Sequence, residues 1–451
     1  MDDIDAELGL GETHRGDLWD DDLEREERVA RPALPVKVPW DKETRLETGF
    51  HRSARLCLRR IQGLMLQQRW QEAAQYMSSY TQTLEDTSIT SITSTTSTSS
   101  QLQASEIIWK LGTGILQQHP NAKPEDFNCF YERMKHIGVK NYLKICLEHS
   151  FHLLANGQLE DAKRQLSVAE SWRYGKISAS QSQTIRLIQA YRAFLDYFIW
   201  QEKKSAISGG DDSDMLANQE MHVYFRQASV TLKELLTEPG VWDPFIISYV
   251  NMLEFYGDQE GALSVLKEYA YDSRFPSNPN AHVYLYQHLR KHLAPNRKLI
   301  SVLQILHSLL PCHELMLELC DLLLQTAEEE SLQEALTVIF SLLDYSGWKS
   351  SLEAWSGLRD VLRQLKRMKL RRLSAVEWGN RAPWWPAYHF STYHARRDLE
   401  LRPALAEVKS SVAAALMGSD CSYCRKRKNL LAEDRAKKHK ALLMKPRKRK
   451  H

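Results

Sequence analysis

Apolar residues recur at helical spacing along most of this 451-residue chain. Over 299–310, Leu299, Val302, Leu303, Ile305, Leu306, Leu309 and Leu310 make the i, i+3, i+4, i+7 face of an amphipathic helix. Leu352, Trp355, Leu358, Leu362 and Leu365 repeat that face over 352–370. No convincing run of alternating strand-like residues is found. Nineteen Gly and fifteen Pro are few for this length, which disfavours turn-rich sandwiches and barrels. The expected fold class is all-α.

A short signature recurs within this helical background. Arg69-Trp-Gln-Glu-Ala-Ala74, Gly157-Gln-Leu-Glu-Asp-Ala162, Gly257-Asp-Gln-Glu-Gly-Ala262 and, more loosely, Ser331-Leu-Gln-Glu-Ala-Leu336 align on their Glu. Each opens a helix with a small residue that lets a neighbouring backbone approach closely, as tetratricopeptide-type hairpins require. The aligned Glu residues lie 88, 100 and 74 apart, so no fixed 34-residue period is visible. The reading is an irregular tetratricopeptide-like helical-hairpin repeat stack.

Hydrophobic content of 43% with twelve Trp demands a core. A single core stops growing at about 250–300 residues, so two domains or an elongated stack are expected. The most apolar segment, 299–324, is interrupted by Gln304, His307, Pro311, His313, Glu314, Glu318 and Asp321, so it does not read as a membrane span. Seven scattered Cys and an Asp-rich start with no signal peptide point to reduced thiols in the cytosol or nucleus.

The formal charge of +3 conceals a strong asymmetry. Residues 1–27 carry a net −10 and 420–451 a net +10, leaving the middle at +3. Such asymmetry points to interaction tails on a folded body. The expected organisation has a disordered acidic, Pro-containing head at 1–47 and a first helical hairpin at 48–86. A Ser/Thr-rich linker follows at 87–103, then a helical body at 104–418 with a loop near 205–214. A disordered basic tail closes the chain at 419–451.

Enzyme signatures are missing from the sequence: there is no phosphate loop, G-x-G-x-x-G, H-E-x-x-H or G-x-S-x-G. A non-enzyme with no cofactor is expected. His149/His152 and His288/His292 have helical spacing suited to a metal, but neither pair has a suitable third ligand in the sequence. Cys312, His313, Glu314 and Cys320 read as a buried thiol beside polar residues at a helix start. Cys421 and Cys424 have zinc-ligand spacing, but His439 and His451 lie too far apart for a finger, so free thiols are favoured.

Two compact cation clusters, Arg425, Lys426, Arg427, Lys428 and Lys445, Arg447, Lys448, Arg449, Lys450, read first as nuclear import and second as non-specific DNA contact. About six cations on duplex phosphates would give log K a slope near −5 against log salt. Arg363, Arg367 and Arg371 lie in a further basic run, 359–372, either a solvated helix face or a surface for acidic partners or DNA. The aromatic block Trp384–Phe390 closes a core or, through Trp384 and Trp385, anchors a partner.

Five blocks carry a family resemblance: EIIWKLGT from Glu106, MKHIGVKNYLKICLEHS from Met134, PGVWDPFIISYVNMLEFYGDQ from Pro239, FPSNPNAHVYLYQ from Phe275 and WWPAYHFST from Trp384. Together they resemble the A-subunit family of the TATA-box-binding-protein-associated factors of RNA polymerase I, over about 50–400. The resemblance implies a non-catalytic helical-repeat scaffold in the promoter selectivity factor. That factor works with TATA-box-binding protein and other associated factors at the ribosomal DNA core promoter, recruiting RNA polymerase I in the nucleolus. The implied partners are the initiation machinery and the promoter, reached directly or through the complex, with no membrane. The competing reading is a free-standing DNA-binding protein using the tail and the Cys421/Cys424 pair.

Overall fold

Five helix-to-helix turns share one backbone device. Gln68, Gly157, Gly257, Leu293 and Lys369 take positive φ, from 53° to 78°. The next amide donates back to the carbonyl five residues earlier at 2.9 Å in each case: Arg69 to Leu64, Gln158 to Leu153, Asp258 to Leu253, Ala294 to Leu289 and Leu370 to Leu365. This left-handed cap ends one helix and aims the chain into the next, which then packs antiparallel against it.

The computed structural model describes residues 49–90, 97–137, 141–173, 179–209, 215–326 and 328–443. Among them there is helix and turn but no strand, and no helix is long and apolar enough to cross a membrane. The acidic head, 91–96, 210–214 and the Lys445–Lys450 cluster lie outside the described residues. The chain divides into two units, 1–224 and 225–451, within one helix.

The first unit holds α1 (Gly49–Leu66), α2 (Trp70–Thr90), α3 (Ser97–Gln118), α4 (Pro124–Ile137), α5 (Tyr142–Ala155), α6 (Leu159–Ser171), α7 (Ala179–Gly209) and the start of α8 (Met215–Leu235). Its core is serial. Leu58, Ile61 and Leu64 of α1 pack with Ala73, Met77 and Tyr80 of α2 and Ile115 of α3. Trp109 of α3 packs with Phe127, Tyr131 and Met134 of α4 and Ile145 of α5. Leu143, Cys146 and Leu153 of α5 meet Ala162, Leu166 and Ala169 of α6 and Ile188 and Leu195 of α7. Each cluster draws on three consecutive helices, the nearest-neighbour logic of a repeat stack.

The second unit continues with α9 (Asp243–Phe255), α10 (Gln259–Tyr271), α11 (Pro279–Lys291), α12 (Asn296–Leu309), α13 (Leu315–Thr326) and α14 (Glu329–Asp344). The first helices of its hairpins start at Asp243, Pro279 and Leu315, 36 residues apart each time. A regular period therefore exists here, although the spacing of the signature hid it. Then come α15 (Leu352–Arg367), α16 (Arg371–Arg381), α17 (Trp385–His389), α18 (Thr392–Leu401), α19 (Pro403–Met417) and α20 (Ser422–Leu443).

The four signature segments open α2, α6, α10 and α14, each the second helix of a hairpin. Each segment buries one alanine completely, Ala73 and Ala335 directly after the Glu and Ala162 and Ala262 two positions after it.

Two expected boundaries move. The Ser/Thr-rich segment 87–103 contributes residues to both α2 and α3, because Ser and Thr at a helix end cost only a few tenths of a kcal/mol each. The basic tail expected from 419 is instead helical through Leu443, and Tyr423 and Cys424 bury against the body. Its charge count masked those two anchoring side chains.

Candidate functional site: a basic helix face over an aromatic core

The helix α15 buries Ala354, Trp355, Leu358, Val361 and Leu365, one stripe at helical spacing. Its intervening positions face outward. Ser351 caps the start by accepting a hydrogen bond from the Ala354 amide at 3.2 Å. Lys366 and Arg367 fill the last turn, where cations complement the partial negative end of the helix. Lys369 makes the left-handed turn, and Arg371 and Arg372 open α16. The predicted residues Arg363, Arg367 and Arg371 are all exposed. Arg363 pairs with Asp360 at 3.3 Å, and Arg372 pairs with Glu329. Among the described residues, Lys366, Arg367, Lys369 and Arg371 enter no ion pair, so this face presents uncompensated positive charge.

The two tryptophans separate. Trp384 is 39% exposed, whereas Trp385 is fully buried and belongs to the core. Trp385 packs on Phe340 at 4.8 Å and on Trp355 at 5.9 Å. Its indole N–H donates to Asp344 Oδ1 at 2.7 Å. Arg381 Nη2 binds Asp344 Oδ2 at 2.9 Å, and its guanidinium lies 4.9 Å from the Phe340 ring centre. The Asp344 carboxylate thus ties α14, α16 and α17 together. Trp385 is withdrawn as a partner anchor, since its polar and apolar parts are both satisfied internally. Trp384 remains available.

A second buried knot fixes the cationic α20. Asp398 Oδ2 of α18 accepts from Lys409 Nζ of α19 at 2.8 Å and from Tyr423 Oη of α20 at 2.9 Å. Lys409 also stands over the Trp355 ring at 5.1 Å. Burial lowers the Lys409 pKa and the Asp398 bond opposes that shift, while burial and the Asp398 charge raise the Tyr423 pKa. Arg425 and Lys428 are exposed on α20, while Lys426 and Arg427 are half-buried.

Cys424 is buried, and its thiol donates to Ser410 O at 3.3 Å. Burial pushes that thiol's pKa up, which opposes the thiolate that zinc needs. At the other cysteine cluster, His313 Nδ1 accepts from the Leu315 amide at 3.1 Å at the start of α13, and Cys320 is buried.

The histidine pairs part company. His149 has both ring nitrogens engaged, Nδ1 with Lys135 Nζ and Nε2 with Asn128 Oδ1, each at 3.0 Å. Burial, then the Lys135 charge, lowers its pKa to about 4. By contrast, His288 and His292 have a third polar partner that sequence reasoning missed: Glu254, on α9. Glu254 and His288 are 34 residues apart, close to the 36-residue spacing of the hairpins, and that spacing was the signal that would have found it.

The family model for the A-subunit of the RNA polymerase I TAFs matches residues 63–429. The TATA box-binding protein-associated factor of RNA polymerase I, A-subunit, from Mus musculus is 46% identical over 379 residues, 83% of this chain and 82% of that protein. The Homo sapiens protein of the same name is 43% identical over 428 residues, 92% of each. Among solved structures, the crystal structure of the P58(IPK) TPR domain aligns at 13% identity with a TM-score of 0.21, covering 85% of this chain and 99% of that one. With relatives this similar over most of its length, the chain belongs to the A-subunit family of RNA polymerase I TAFs.

Proposed function

We propose that this chain is a non-catalytic scaffold component of the RNA polymerase I promoter selectivity factor. It acts with TATA-box-binding protein and other associated factors at the ribosomal DNA core promoter, in the nucleolus, to assemble the complex that starts pre-ribosomal RNA synthesis. The observation that carries this reading is the family match over 63–429, which coincides with the packed helical body. A stack of hairpins offers long edges on which several partners sit in fixed relation.

A cavity of about 540 Å³ is lined by the carboxylates Glu314, Glu318, Asp321 and Glu353 together with Arg290 and Gln325. The exposed cations of α15, the α15–α16 turn and α16, with Trp384 nearby in sequence, are the proposed docking face for an acidic partner surface or for promoter phosphates. Lys445–Lys450 is the proposed import signal. The zinc-dependent alternative is weakened by Cys424, whose thiol is committed to Ser410 inside the fold.

Affinity purification of the tagged full chain from nuclear extract tests the proposal. Co-recovery of TATA-box-binding protein with RNA polymerase I factors is expected; recovery of a monomer without them overturns it.

A further inference from the structure

Glu254 stands near the C-terminal end of α9, and His288 and His292 stand at the C-terminal end of α11. Their donor atoms all lie within 4.8 Å of one another. Glu254 Oε1 is 2.8 Å from His288 Nδ1 and 3.4 Å from His292 Nε2. Ligands held at about 2.0–2.2 Å around a tetrahedral ion are themselves a little over 3 Å apart, a separation that the two Glu254–histidine distances bracket. The His288 and His292 rings are 4.4 Å apart at 49°, close enough to serve one ion from two directions.

Burial grades outward across the cluster. His288 is buried, Glu254 half-buried and His292 exposed, which leaves a side open for water as a fourth ligand. Two helices end here, and the partial negative charge of both termini favours a cation. Among the described residues, this is the group of three His, Cys, Asp or Glu side chains with converging donor atoms.

We propose that Glu254, His288 and His292 form a divalent-metal site of the zinc class that staples the α9–α10 hairpin to the α11–α12 hairpin. Two imidazoles and one carboxylate are borderline donors that suit Zn²⁺ over Mg²⁺ or Ca²⁺. The ligands come from the first helices of successive hairpins, which touch directly. A bound ion therefore fixes the pitch between two repeats, a property that a scaffold transmits to whatever docks along it. Lys291 is the built-in competitor. Its ammonium binds Glu254 Oε2 without the metal, and its side chain is 62% exposed, so it swings aside when the ion enters.

The test uses the full chain, stripped by chelator, with Zn²⁺ or Co²⁺ alone. Zn²⁺ at about 100 times its Kd is expected to raise Tm by several degrees. Co²⁺ is expected to bind with the visible d–d bands of a tetrahedral nitrogen and oxygen site and no thiolate charge-transfer band, which separates this site from the cysteines. His292→Ala removes an exposed ligand and should lower affinity at least ~10-fold, with circular dichroism unchanged. Lys291→Met should raise affinity severalfold, whereas a purely structural ion pair gives no such gain. The proposal is overturned by absence of saturable binding, by thiolate bands, or by an affinity that neither variant moves.

Discussion

A left-handed residue with a Cβ costs about 1–2 kcal/mol, and glycine avoids that cost at an entropic penalty of about 0.4–1 kcal/mol. Among the five hairpin caps, only Gly157 and Gly257 exploit the difference. Leu293 holds φ 53° with its side chain 91% exposed, so it contributes no packing to offset the strain. Leu293→Gly should therefore stabilise the second unit by about 0.5 kcal/mol. Gly257→Ala should destabilise it by about 1 kcal/mol, purely through φ, since an added Cβ meets nothing within 4 Å. Urea unfolding reads both, and a shift of the same sign for the pair would refute the argument. His389 tests burial in the same unit. Its Nε2 lies 3.1 Å from Leu343 O, and burial, then the Lys409 and Lys349 charges, lowers its pKa to about 3. Between pH 6.5 and 3 the unfolded chain binds a proton at this ring that the native chain refuses. Stability is thus full above pH 6.5 and is lost as pH falls toward 3, at about 1.4 kcal/mol per pH unit. His389→Gln should flatten the measured slope of unfolding free energy by about that amount between pH 6 and 4.

Helices and their pairing were largely legible in the sequence, because apolar spacing and the buried alanines act locally. The face of α15 was readable for the same reason: Leu358 and Leu365 are buried and Arg363 and Arg367 exposed, as their spacing requires. The caps at Leu293 and Lys369 were not readable, since no glycine marks them. The burial of Trp385 and the place of Glu254 beside the histidines were not readable, because they depend on partners 41 and 34 residues away, Asp344 and His288. The tail failed for a different reason. Net charge over 420–451 is a sum, whereas folding of α20 depends on two side chains, Tyr423 and Cys424, among many polar ones. Tyr423→Phe tests whether α20 is truly held by the Asp398 knot. The ring keeps its edge contact with Phe390 at 5.7 Å, so the variant removes little beyond the bond to Asp398. A hydrogen bond to an ionised carboxylate is worth about 1.5–3 kcal/mol, and Lys409 still compensates the charge, so a loss of about 1–2 kcal/mol is expected. Hydrogen exchange should speed up along α20 itself; unchanged protection there would return 419–443 to the status of a tail.

At the scale of the molecule, stability and assembly draw on different residues, and that separation makes the proposed docking face testable. Buried apolar side chains hold each unit together, while the cations over 363–371 lie at exposed positions. Arg363 pairs only with a half-exposed Asp360, and such surface pairs contribute about 0–1 kcal/mol. Reversing Arg363, Arg367 and Arg371 to Glu should therefore change unfolding free energy by no more than about 1 kcal/mol. The field that the face projects, in contrast, changes sign. An acidic partner surface steered by it should associate about 10-fold or more slowly at low salt, with the difference shrinking as ionic strength rises past about 0.15 M. If the face instead meets promoter phosphates, each lost contact removes about 0.9 from the slope of log K against log salt, so the slope should become shallower by about 2–3. Binding of the variant to the purified partner factors and to promoter duplex, each across a salt series, distinguishes the two occupants. Equal affinity and equal slope in both series would leave the face merely solvated, and the scaffold would have to recruit its partners through another edge.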